Sequence, residues 1–578
     1  MYKKNQKHLQ PALISTVNQL PEKHRERLDH SWAGTFYREL FCKIKEDAFA
    51  VLYADCPSRP NIAVNVLVGL EILKSGYGWS DEELYEHFLY DLQVRYALGY
   101  DSLGEGDFEL RSVYNFRQRM SQYNQEKKTN LMQQAFAQIT DVQLTALSVK
   151  TSMQRIDSVQ LASNIVDASR LQLLVESIQR LFRVLSESDR ARCAQWMGTY
   201  LEQSAGQYVY RIKGRAANEA HLLQIGQHIQ RLLAELKADY AKESAYQVLE
   251  RFFSDNFQVE PDKVQPKAHE DLSAGSLQSV DDLEATFRRK AGEEFKGFVA
   301  AVSETCDPTN PLQLVTYGDV APNNVDDAAL LVEAIPQIQE RMALNEMHSD
   351  GGFGSPAVDS ACQQAQVDLV QTAIRGAVPA PDKFNLADFS IAQDAQWKPT
   401  QMTCPHGQTI PVEAGTKTGY LAHFDPLQCQ TCPFAASGRC RAKPSKREVR
   451  FTLSFTQQEV NWARRRRRHQ EEKAAPRNLR SAVEALMRSV KHPFPAGKLP
   501  VRGLFRMTCM VMASAAMTNI RRIHRYRQEM SHPEAPAGQE SMKKSNRTTR
   551  KDSFLSLHWL VSFLNWRPAS SFCSCFSC

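Results

Sequence analysis

No stretch of this 578-residue chain is apolar for long enough to cross a membrane unbroken. The longest candidate, Leu504 to Ile520, contains Arg506 and many small residues. The first residues, Met1-Tyr-Lys-Lys-Asn-Gln-Lys, lack the apolar core of a secretory leader, so the 13 cysteines are read as reduced thiols rather than a disulfide framework. A soluble, cytoplasmic protein is expected. Excess charge is scarce too: 71 Lys and Arg against 65 Asp and Glu leave only +6, which excludes recognition of a polyanion by bulk charge alone. With 42% hydrophobic and 24% charged residues the composition is globular, and the length excludes one simple domain.

A local absence says more. Between Lys473 and Lys491 the only acid is Glu484. At helical spacing Leu479, Val483, Leu486 and Val490 form an apolar stripe, while Arg480, Glu484, Arg488 and Lys491 share another face. An acid with cations one and two turns away suits a site where a metal ion meets a polyanion. The plainer alternative is a surface pair between Arg480 and Glu484, worth a few tenths of a kcal/mol. Positive charge is also clustered in the unbroken run Arg464, Arg465, Arg466, Arg467 and Arg468, and again at Arg521, Arg522, Arg525 and Arg527. Such runs are either solvated faces or phosphate-binding surfaces.

Residues 1 to 145 read as all-helical. Ser80-Asp-Glu-Glu caps one helix, and a basic helix over Leu110 to Tyr123 carries Arg111, Arg117 and Arg119 beside Tyr114 and Asn115. Short helices ending in a basic one fit a helix-turn-helix-like DNA-binding unit and a plain bundle about equally. Gln154 to Ser163 reads as a strand. Helices return from Leu171 to about Phe257, followed by a Pro-, Lys- and Ser-rich loop over Val259 to Ser279. The period then changes to two, with paired strands over Phe295 to Glu304 and Leu312 to Val320. A helix over Asp326 to Met342, a short strand over Glu346 to Ser349 and a helix from Pro356 follow. This order predicts an α/β core with a large helical insertion after its first strand. Residues 390 to 450 look irregular.

Three acids stand where acids are costly without a task. Asp157 lies inside a predicted strand, Asp350 at a strand end before Gly351 and Gly352, and Glu484 on the late helix. Taken singly, Asp157 could cap a turn and Asp350-Gly could be an ordinary turn dipeptide. Together, two carboxylates at strand ends and a third on a helix are what a two-metal phosphoryl-transfer site requires, since Mg²⁺ takes oxygen ligands. A second candidate set is Cys404, Cys429, Cys432 and Cys440, which suits a small structural zinc insert with Cys429 and Cys432 as one knuckle and His406 as a substitute ligand. The alternative is four unrelated thiols. The apparent want of apolar sequence for a core around them favours zinc.

The ordered segments Arg155-Ile-Asp-Ser with Ala162-Ser-Asn-Ile, Lys296-Gly-Phe-Val with Glu304-Thr-Cys, Val320-Ala-Pro-Asn-Asn, His348-Ser-Asp-Gly-Gly-Phe-Gly, Arg480-x3-Glu484-x6-Lys491 and Gly497-Lys-Leu-Pro-Val-Arg-Gly resemble the DDE transposases of bacterial insertion sequences. The likeness is to the insertion sequence 1182 group, related to the 4 and 5 groups, over residues 20 to 530. Arg477 stands where that family often has a tyrosine. The resemblance implies an RNase H-like catalytic core in which Asp157, Asp350 and Glu484 hold two Mg²⁺ (or Mn²⁺) ions. It implies hydrolysis of double-stranded DNA at terminal inverted repeats and joining of the freed ends to target DNA, with at least a homodimer needed to pair two ends. Arg480, Arg488, Lys491, Lys498 and Arg502, with Arg464 to Arg468, are then expected to meet phosphates.

The expected organisation is a helical N-terminal domain over 1–145, the core over 146–165 and 280–385, and a helical insertion over 166–279. A cysteine-bearing insert over 386–450, basic helices completing the core over 451–530, and a disordered or non-native tail over 531–578 follow. Two other classes remain open: a non-enzymatic DNA-binding protein derived from a transposase, and a metal-dependent nuclease that does not join strands.

Overall fold

Successive side chains of the long central strand enter two different cores in the computed structural model, and those two cores define its layers. In chain order the strands are β1 (Met153–Ala162), a small hairpin of β2 (Phe257–Glu260) and β3 (Lys263–Pro266), then β4 (Thr286–Lys290), β5 (Glu293–Thr305), β6 (Val315–Pro322), β7 (Glu346–Ser349) and β8 (Asp368–Gln371). Along β5, Phe298, Ala300 and Val302 enter one apolar cluster while Val299 and Ala301 enter another. A strand covered on both faces reads as a continuous apolar run, as this one does. The structure describes residues 1–531 apart from 11–13, 55–59, 261–262, 291, 375–379, 381, 416–418, 445–449, 475–478, 481, 492 and 495–496. Arg477, and the expected tail beyond Ser531, lie outside the described residues.

The protein is mixed α/β. Its six-stranded main sheet has the order β4-β5-β1-β7-β8, with β6 also paired to β5. β1, β5 and β6 run antiparallel in succession, whereas β1, β7 and β8 are parallel. The parallel crossovers are supplied by helices Asp327–Gln339 and Pro356–Ala365, the latter with proline in its first turn and Ser355 capping Val358. Between β1 and β4 come the helices from Arg170 to Asn256, which bury their own core of Leu174, Ile178, Ile229, Leu232 and Phe252.

No strand precedes Met153 among the described residues. The N-terminal helices do not keep a core to themselves: Phe36, Leu70 and Phe116 share one apolar cluster with Phe298 on the sheet and with Val483, Leu486 and Met512 on the late helices. Met1–Gln528 forms one compact unit. No helix among the described residues is long and apolar enough to cross a membrane.

Residues 390–450, expected to be irregular, carry most of a second antiparallel sheet. β9 (Ser390–Gln393), β10 (Pro399–Thr403), β11 (Thr409–Ala414), β12 (Tyr420–Phe424), β13 (Lys443–Pro444) and β14 (Phe451–Phe455) pair antiparallel in the order β13-β14-β12-β11-β10-β9. No strand contributes more than two buried side chains, so the alternation is too short to register as a period. Leu386, Phe389, Met402, Phe424, Leu453, Phe455 and Val460 close a core there. The expectation that this region lacks material for a core is therefore corrected, and with it one argument for zinc. β4 and the four-residue β8 also went unread, for the same reason of length.

Candidate active site

The parallel ladder between β1 and β7 ends at Arg155 opposite His348. Asp157 stands two residues further along β1, and Asp350 two residues past His348, just beyond the end of β7, so the register brings the two carboxylates together where the β1–β7 ladder ends. Asp157 is buried; its Oδ1 accepts from the Ser158 N–H at 2.8 Å. Burial pushes its carboxyl above the usual range, the Arg480 guanidinium pulls it back, and the neighbouring Asp350 charge adds to the push. Asp350 caps a tight turn, its Oδ1 accepting from the Gly352 N–H at 2.8 Å while its carbonyl accepts from Gln371 Nε2 at 2.9 Å. That turn favours glycine at its first position, where a Cβ on Gly351 would stand 2.7 Å from the Ala373 carbonyl oxygen.

Glu484 comes to this edge on helix Val483–Lys491, whose buried face is Val483, Leu486, Met487 and Val490. The helix starts later than the sequence stripe implied. Leu479 and Arg480 precede it, so Arg480 is not a helical neighbour of Glu484. Instead its Nη2 donates to Asp157 Oδ2 at 2.8 Å, and its Nη1 lies 3.9 Å from Glu484 Oε1. Arg480 thus ties the strand acid to the helix acid, and the plain surface-pair reading does not describe it. Glu484 itself keeps 72% of its side chain exposed.

A contact that sequence reasoning missed fixes this segment. Arg155, two residues before Asp157 and so on the same face of β1, donates from Nη1 to the Leu479 carbonyl at 2.6 Å and from Nε to Glu304 Oε1 at 2.6 Å. Glu304 is fully buried on β5 and also pairs with Arg522 at 2.5 Å. A buried acid demands such partners. The available signal was an arginine two positions from a strand aspartate, together with an acid at the end of an apolar strand.

Other candidate cations are distributed differently. Arg488 is exposed on the helix face that carries Glu484, and burial lowers the Lys491 ammonium. Lys498 donates to the Ile165 carbonyl at 2.8 Å and Arg502 to the Asn164 carbonyl at 2.7 Å, so both fasten the chain just past β1. The five-arginine run lies on helix Gln457–Ala474 and engages the protein's own groups. Arg464 pairs with Asp368 at 2.5 Å and stacks on Trp397, and Arg465 pairs with Asp359 at 2.7 Å. Arg466 stacks on Trp462, Arg467 donates to the Ala387 carbonyl, and Arg468 pairs with Glu346 at 2.7 Å. On the N-terminal helix Arg111–Lys127, Arg117 turns inward to Glu71 and Asp81, while Arg111, Tyr114, Asn115 and Arg119 face outward.

Cys404, Cys429, Cys432 and Cys440 come into one neighbourhood beside the second sheet. Burial, with the other three thiols behind it, pushes Cys429 up to about 11. Cys440 also rises through burial, although the Ala442 and Arg441 N–H groups donate to its sulfur. Among the described residues, however, no group of three or more His, Cys, Asp or Glu is arranged to hold a metal ion. That holds for these thiols and for the three acids, which are neighbours without forming a closed ligand shell.

Residues 403–524 match the family model described as Transposase DDE domain. The match supports a DDE transposase. It takes in the four cysteines, the arginine run, Arg480 and Glu484, but neither Asp157 nor Asp350. DDE transposase domains act on DNA and generally use divalent metal ions, so the family match carries an enzymatic and DNA-binding implication. Comparison with curated proteins and with solved structures gave no match.

Proposed function

We propose that the protein is the transposase of a bacterial insertion sequence of the 1182 group, cutting double-stranded DNA at terminal inverted repeats and joining the freed 3′ ends to target DNA. The observation that carries this reading is the register that sets Asp157 beside Asp350, with Arg480 linking Asp157 to Glu484. The strand order, three antiparallel strands followed by two parallel ones, supports an RNase H-like core. The donor set fits Mg²⁺ or Mn²⁺: three hard carboxylates, one of them, Asp157, buried beside the charge of Asp350.

Asp157, Asp350 and Glu484 would hold such ions, which supply Lewis acidity for the attacking and leaving oxygens of a phosphodiester. Glu484, being solvent-exposed, would be free to turn towards such an ion. Arg488 and Lys491 extend the phosphate-binding face beyond it. Arg111, Tyr114, Asn115 and Arg119 offer a duplex-facing helix surface. Pairing of two element ends calls for a homodimer, and the site of action is the bacterial cytoplasm. The four cysteines gathered in one neighbourhood are the one support for a structural zinc, and burial raises Cys429 and Cys440 against the thiolates it would need. About one zinc per chain is expected by metal analysis, lost in Cys429→Ser/Cys432→Ser; a folded, zinc-free wild type removes that assignment.

The decisive experiment incubates the full chain with Mg²⁺ and DNA bearing the flanking repeats, and follows nicked and joined products. Asp157→Asn, Asp350→Asn and Glu484→Gln should each reduce cleavage about a thousandfold or more while sparing end binding. Cleavage without joining would make the protein a nuclease instead. Full activity in any of the three variants strikes that residue from the site.

A further inference from the structure

We propose that Arg480 is a resident counter-cation of the candidate site, which a divalent ion must displace from Asp157, so that metal binding and release of the guanidinium towards a phosphate are one coupled event. This rests on the reading of the site as metal-dependent.

Both oxygens of Asp157 already have partners. Oδ1 is held by the Ser158 N–H within the strand, leaving Oδ2 as the outward oxygen, and that is the one Arg480 occupies at 2.8 Å. An ion entering between Asp157 and Glu484 meets the guanidinium there, because Arg480 Nη1 also stands 3.9 Å from Glu484 Oε1. Like charges do not share that space in a half-buried site. In the absence of another cation the guanidinium is needed, since Asp157 is buried and faces the Asp350 charge.

The anchoring allows a side-chain movement alone. The Leu479 carbonyl is fixed by Arg155, which Glu304 holds in turn, and the Arg480 carbonyl accepts from the Val483 N–H at 2.9 Å. The backbone is therefore pinned on both sides while the guanidinium reaches across the gap. Once displaced, its planar fork matches a phosphate's oxygens and remains within the same few ångströms of the acids. By linkage, metal must then strengthen DNA binding, and DNA must strengthen metal binding by the same factor.

The test is Mn²⁺ binding to the full chain, followed by electron paramagnetic resonance without any reaction. Removing the competitor in Arg480→Gln should tighten Mn²⁺ binding about tenfold or more, the scale of one charge-assisted hydrogen bond. Arg480→Lys, which keeps a charge but loses the fork, should fall between Gln and wild type. A short duplex should tighten Mn²⁺ binding to wild type but not to Arg480→Gln. Equal or weaker Mn²⁺ binding by a folded Arg480→Gln overturns the proposal. If circular dichroism shows that variant unfolded, Arg480→Lys decides by the same criterion. If wild type binds no Mn²⁺ even with DNA, the metal-dependent reading itself falls, and this inference with it; Asp157→Asn, expected to weaken binding, separates the two failures.

Discussion

Arg464–Arg468 and Arg480–Lys491 look alike in one dimension and differ in three. Both are basic, helical stretches late in the chain, and both read as phosphate-binding surfaces. In the structure the first is a clasp: its arginines reach β7, β8, helix Pro356–Ala365 and Ala387, joining the second sheet to the main one. The second turns Arg480 to Asp157 and towards Glu484, half-buries Lys491, and leaves Glu484 and Arg488 exposed. The difference lies in the partners. Asp359, Asp368 and Glu346 await the first run, whereas the second faces open water beside two strand-end acids. A cation's role is set by the anion nearest to it, and sequence does not list neighbours.

This contrast can be broken most forcefully by exchanging readouts. Glu484→Gln should remove cleavage by about a thousandfold or more and leave the unfolding midpoint unmoved, because the side chain is exposed and weakly paired. Arg465→Ala should do the opposite to stability, lowering it by about 3 kcal/mol in urea unfolding, since it strands the buried Asp359. Burial already holds Asp359 above the usual carboxylate range despite Arg465, so Arg465→Met/Asp359→Leu should recover most of the loss. A stable Arg465→Ala would dissolve the clasp.

A smaller effect sharpens the other side. Burial raises the Asp157 carboxyl in the folded protein. Its contribution to stability is therefore fully present below the ordinary carboxylate pKa and is lost as pH rises through the raised value. Metal-free Asp157→Asn should accordingly be as stable as wild type or slightly more so at neutral pH, with the gap closing in acid. Melting curves across pH check this, and a variant markedly less stable at neutral pH contradicts it. The smallest expected change concerns DNA. Arg488→Ala should lower the slope of log affinity against log salt by about one, and Arg464→Ala should leave it unchanged. Equal slopes for the two variants would erase the distinction between the regions.

How much of this was legible depended on element length. The strand over Gln154 to Ser163 could be read because the helical period lapses there, and the four residues of β7 because a glycine turn follows them. The helical insertion was legible from its sustained period. β8 and the strands around the cysteines were not, being four to six residues with one buried face. The acids were readable as candidates because charge inside a strand is costly. Arg155 and Glu304 were not, because their partnership joins residues 149 positions apart.

By itself the sequence determined the mixed α/β class, the three candidate acids and the clustering of basic residues, because periodicity and the cost of burying charge are written locally. Only the tertiary structure decided that β1 and β7 are parallel in the register that sets Asp157 beside Asp350, that Arg480, just before its helix, bridges two acids, and that Arg464, Arg465, Arg467 and Arg468 fasten the second sheet to the main one. Those outcomes depend on which distant segments share an edge. That choice is made by the packing of whole layers and not by any stretch of chain taken alone.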